Sequence, residues 1–109
     1  MINNKLSKTD ILLLSHNINP ALKGYTFIKY ILENKSISIN TRLYDLYDEI
    51  AAEFETTSTA VQECIKYAFK NSDFEKKNNK RNLILLAHEF KMDWLRGKGN
   101  DWWNDNRLL

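Results

Sequence analysis

Along the middle of the chain, Leu43, Leu46, Tyr47, Ile50, Ala51 and Phe54 recur at intervals of 3, 4, 7, 8 and 11 from the first, a spacing that only a helix places on one face. Val61, Cys64, Ile65, Ala68 and Phe69 repeat the pattern at 3, 4, 7 and 8, and predict a second helix directly after a break. Upstream, the run Ile11-Leu12-Leu13-Leu14 predicts a short helix capped by Thr9 and ended by Asn19-Pro20, since the residue before proline avoids helical angles. A further helix from Gly24 or Tyr25 is expected to turn Phe27, Ile28, Ile31 and Leu32 inward, and Asn34 to Asn40 reads as a polar connection. Beyond a polar, basic stretch from Asn71 to Asn82, Leu83, Leu86, Ala87, Phe90 and Trp94 mark one more helix, ending near Gly97 and Gly99. No alternating strand pattern is present. The expected fold is all-α, a small bundle of about five helices, with residues 1–97 as one helical domain and 98–109 as a C-terminal tail.

The break between the two central patterns carries four hydroxyls in a row, Thr56-Thr57-Ser58-Thr59. Two helices joined by so short a link at a steep angle form a helix-turn-helix, whose second helix can lie in the DNA major groove. Ala51 is small enough for the second helix to approach closely, and Val61 falls where the pair must share a core. Thr57 or Ser58 can cap that helix, while the remaining hydroxyls, beside free backbone N–H groups, suit phosphate oxygens. A helical hairpin with a surplus of caps would show the same pattern.

Composition narrows the class. The chain of 109 residues is 43% hydrophobic and 28% charged, too apolar for disorder and of single-domain length. Net charge is only +2, and its distribution says more. Arg42 to Glu63 holds one base against six acids, whereas Cys64 to Arg81 holds six bases against Asp73 and Glu75. Cys64, the only cysteine, excludes an internal disulfide and a thiolate metal site, and no metal or cofactor is expected. There is no long apolar run and no apolar core of a signal peptide at the start, so a cytoplasmic protein without membrane contact is expected. His16 and His88 are isolated, and no nucleophile, base and orienter set is evident. The chain is not expected to be an enzyme.

The stretches "INPALKGYTFIKYI" at 18–31 and "LYDEIAAEFETTSTAVQECIKYAF" at 46–69 resemble the C-terminal DNA-binding domain of the stage-zero sporulation response regulator family of Firmicutes. The shared pattern is Lys23-Gly24-Tyr25, Leu46-Tyr47, Ile50-Ala51, Phe54, Thr56-Thr57, Val61, Ile65 and Ala68, covering roughly residues 10–70. The resemblance implies a helical bundle with a central helix-turn-helix that binds double-stranded DNA and controls transcription. The family's receiver domain has no counterpart in this sequence. Its recognition helix displays arginines and a glutamate, where this chain has Ala60, Gln62, Glu63 and Lys66. The family's DNA site is therefore not carried over, because alanine or glutamate does not replace an arginine bidentate to guanine.

Within the candidate recognition helix, Thr57, Ser58, Thr59, Gln62, Glu63, Lys66, Tyr67 and Lys70 are the expected DNA contacts. Gln62 can read adenine, Glu63 can accept from cytosine or repel phosphate, and Lys66 and Lys70, one turn apart, suit phosphates. Lys23, Tyr25, Lys76, Lys77, Lys80 and Arg81 are candidates for flanking phosphates. Trp102 and Trp103, adjacent in the tail, either dock on the bundle or anchor a second subunit or another protein. The expected function is that of a stand-alone DNA-binding protein, a transcription regulator or accessory factor. The lone domain and the Asn, Lys and Ile content suit a plasmid or phage gene, and a homodimer would double what one short helix reads. The competing reading is a protein-binding module, for example a phage or plasmid inhibitor, that uses the acidic face Asp45, Asp48, Glu49, Glu53 and Glu55 or the tryptophan tail.

Overall fold

Apolar residues at helical spacing need partners, and in the computed structural model they find them in five helices, with no strand among the described residues 6–74 and 78–98, the side chains of 93–98 excepted. In order these are α1 (Lys8–Ser15), α2 (Lys23–Asn34), α3 (Leu43–Glu53), α4 (Ser58–Lys70) and α5 (Asn79–Lys98). The all-α class expected from periodicity is the one observed.

The ends of the helices differ from expectation in instructive ways. Ser7, not Thr9, caps α1: its Oγ accepts from the Asp10 N–H at 3.1 Å while Asp10 Oδ2 accepts from the Ser7 N–H at 3.2 Å, a reciprocal capping box. Thr9 is buried inside the helix. Nor does Asn19-Pro20 end it. Asn17 enters the left-handed region at φ 61°, its N–H donates to Leu14 O at 2.9 Å, and Ile18 N–H reaches back to Leu13 O at 3.1 Å. This is the Schellman arrangement, and asparagine tolerates the conformation it requires. Ile18, just beyond, is fully buried. α5 begins at Asn79 rather than at Leu83, because Asn78 Oδ1 accepts from the Arg81 N–H at 2.7 Å and satisfies one of the first free donors. Half of the basic run thus belongs to a helix.

α4 occupies the centre, packing against α2, α3 and α5. Val61, Ile65 and Ala68 are fully buried, with Phe69 nearly so; each of Val61, Ile65 and Phe69 contributes roughly 1.5–3 kcal/mol, and the single methyl of Ala68 less. Around them stand Leu13, Ile28, Ile31, Ile50, Leu83 and Leu86. Gly24 marks the tightest crossing. A Cβ built there would collide with the Cys64 carbonyl oxygen and lie 2.7 Å from Ala68 Cβ, so α2 and α4 meet backbone to backbone. Phe54 does not fill the core as expected. It lies at the end of α3, 37% exposed, and covers a seam edge-on to the rings of Phe27 and Tyr30, at 5.3 and 5.4 Å. Ile11, from the apolar run of α1, is exposed as well. Trp94, expected on the core face of α5, has its side chain outside the described residues.

Two polar corners fasten the bundle. Asp10 Oδ1 accepts from the Tyr25 hydroxyl at 2.6 Å, and the Lys29 ammonium lies 3.1 Å from the same carboxylate. Burial by itself would raise the Asp10 pKa, but the hydrogen bonds from Tyr25, Lys29 and Ser7 outweigh it and hold the carboxyl at about 2, below its ordinary 3.8. Across the molecule, His16 Nε2 pairs with Glu89 at 2.6 Å, its ring packs on Phe74, and its carbonyl accepts from the Asp73 N–H. Those bonds tie the end of α1 to α5 and to the segment after α4.

Candidate nucleic-acid interface

The turn between α3 and α4 spans residues 54–57. Phe54 N–H still bonds to Ile50 O, Glu55 takes the left-handed conformation at φ 55°, and Thr56 N–H returns to Ala51 O at 2.9 Å. The reversal is therefore made by backbone bonds. Thr57 then caps α4, its Oγ1 accepting from the Ala60 N–H at 3.1 Å. Ser58 Oγ donates to Asp48 Oδ1 on α3, which fastens the first turn of α4 to the helix before it. Of the four hydroxyls, two are thus engaged by the fold itself, while Thr56 and Thr59 are exposed.

With Val61, Ile65, Ala68 and Phe69 turned inward, the opposite side of α4 carries Thr59, Glu63, Lys66, Tyr67 and Lys70, all exposed. Gln62 lies at the edge of this strip, half-buried, and its carbonyl accepts from Asn79 Nδ2 at 3.2 Å. No element of the described residues covers the strip. Seven of the eight expected recognition-helix residues lie on α4 itself, with Thr57 at its cap.

The flanking candidates divide. Lys23 is exposed and lines, with Phe27, Phe54, Thr56, Ala60 and Cys64, a small cavity of about 210 Å³ beside α4. Tyr25 must be withdrawn as a phosphate contact: it is 6% exposed, its hydroxyl is given to Asp10, and burial together with that carboxylate raises its pKa. Lys80 and Arg81 lie in the first turn of α5, near the positive end of a long helix. Lys76, Lys77, Trp102 and Trp103 lie outside the described residues.

One feature was not evident from the sequence. Between the start of α3, the outer side of α4 and the first turn of α5 runs a groove of about 670 Å³, to which Lys66, Lys70 and Lys80 contribute alongside Tyr44 and Tyr47. Asn79 Nδ2 also donates to Tyr47 Oη at 3.0 Å, and burial raises the Tyr47 pKa against the opposing effect of that bond. The periodicity of each helix shows its inner face but not which outer residues of three helices meet.

The acids of α3 are exposed and partly engaged: Glu49 pairs with Lys35 at 2.7 Å, Asp45 lies 3.6 Å from Arg42, and Asp48 takes the Ser58 hydroxyl. The bond to Glu49 raises the Lys35 pKa.

Comparison with protein-family models, with curated proteins and with solved structures finds no match to this chain. The likeness to the sporulation regulators thus rests on the residues quoted for it alone. Among the described residues no cluster of three or more histidine, cysteine or acidic side chains is placed to hold a metal ion, and no helix is long and apolar enough to cross a membrane.

Proposed function

We propose that this chain is a small double-stranded DNA-binding protein in which α3, its four-residue link and α4 act as a helix-turn-helix, serving as a transcription regulator or accessory factor like the sporulation regulators. The observation that carries this reading is the uncovered strip of α4, polar and bearing Lys66 and Lys70, on a helix whose other side is held by three neighbours. Helices that enter the major groove need such an exposed outer face on a rigid support. Lys80 and Arg81 extend the positive surface, and Lys23 flanks it on the α2 side. Gln62 and Glu63 supply base-reading chemistry in place of arginine. A homodimer would double the sequence read. On the acidic face the protein-binding alternative has less support, since Glu49 and Asp48 already hold partners within the chain; its tryptophan tail lies outside the described residues.

Titration of a labelled duplex at several salt concentrations tests the proposal. Neutralising roughly five phosphates gives a slope of log K against log salt of about −4 to −5. Lys66→Ala with Lys70→Ala weakens all duplexes alike, whereas Gln62→Ala shifts sequence preference. Absence of binding at low salt overturns the reading.

A further inference from the structure

The groove beside α4 is built for more than phosphate. Its volume of about 670 Å³ falls within the range of small-molecule sites, roughly 300–1,000 Å³. Lys66, Lys70 and Lys80 give it three cations, and the described residues that line it include no carboxylate. The positive end of α5 adds to that field. Two tyrosines line the same groove. Tyr47 is 3% exposed and forms part of the wall, while Tyr44, 72% exposed, stands at the rim with its ring edge-on to Tyr47 at 6.5 Å. Asn79 bonds to both Tyr47 Oη and the Gln62 carbonyl, so one amide pins the start of α5 across α3 and α4.

Clustered cations beside an exposed aromatic ring match a ligand that joins an anion to a flat ring, because every nucleobase offers a face for stacking. We infer that this groove binds a nucleoside phosphate, its phosphates on Lys66, Lys70 and Lys80 and its base on Tyr44. Binding does not depend on the duplex reading. Competition does, for Lys66 and Lys70 belong both to this groove and to the strip proposed to meet DNA.

Calorimetric titration of the full chain at low salt tests this, with ATP, GTP, CTP and UTP as probes and tripolyphosphate and adenosine as partial ligands. At least one nucleotide binds saturably at one site, and Lys80→Ala and Tyr44→Ala each weaken it by about tenfold. Lys8→Ala, an exposed lysine on α1 that does not line the groove, leaves it unchanged. Circular dichroism of each variant separates lost binding from lost helix. No saturable heat with any nucleotide overturns the inference. So does tripolyphosphate binding as tightly as ATP and indifferent to Tyr44→Ala, which would reduce the groove to a cluster of cations. Nucleotide binding without any duplex binding overturns the DNA proposal alone, and the reverse result overturns this one alone.

Discussion

The Asp10 carboxylate accepts from Ser7, Tyr25 and Lys29 together and so joins the cap of α1 to the face of α2. Its folded pKa of about 2 lies below the ordinary 3.8, so the carboxylate binds a proton less readily in the folded chain than in the unfolded one. Its contribution is fully present above about pH 4 and is lost as pH falls toward about 2, amounting to roughly 1–2 kcal/mol. Urea denaturation across that window is expected to show the wild-type midpoint falling more steeply than that of Asp10→Asn, which starts lower at neutral pH. Parallel curves for the two proteins would refute it. Little of this was legible in the sequence. Ser7 and Thr9 offer the same hydroxyl, and only the reply from Asp10 three residues after Ser7 separates them. In the sequence alone Tyr25 stands as a candidate phosphate contact, because its true partner, Asp10, lies on another helix.

At the scale of the helix, the crossing of α2 over α4 depends on the absent side chain of Gly24. Gly24→Ala places a methyl against the Cys64 carbonyl and Ala68, backbone and core atoms that yield only by separating the helices. A loss of about 3 kcal/mol is expected, read as a lowered urea midpoint. A change below about 0.5 kcal/mol would show that the crossing relaxes freely. The helices themselves were readable because their inward residues are apolar at 3.6-residue spacing, as Leu46, Ile50, Val61 and Ile65 illustrate. The first turn of α5 was not, since Asn79, Lys80 and Arg81 carry no apolar residue to mark it. The groove was harder still: Tyr44, Lys66 and Lys80 are brought together by packing, and no local pattern in the chain relates them.

Seen whole, the molecule is arranged around α4, which α2, α3 and α5 enclose on its apolar side. Opening that helix requires losing all three contacts, so the amides of Ile65, Ala68 and Phe69 are expected to exchange hydrogen only through global unfolding, at the slowest rates in the chain. Residues near the α2–α3 connection, such as Ser36 and Ile39, should exchange orders of magnitude faster. Native-state exchange followed by NMR checks this, and faster exchange in α4 than in α2 would contradict it. Acids on α3 and lysines on α4 and α5 then leave surfaces of opposite sign on neighbouring sides of one small body. The α2–α4 crossing also has a practical consequence for screening. In a saturation library sorted first for folded chains, position 24 should return glycine alone, whereas positions 66 and 70 should return nearly any polar residue. Sorted again for ligand capture, the library should narrow at 66 and 70. Position 24 thus serves as an internal standard that separates the demands of folding from those of recognition.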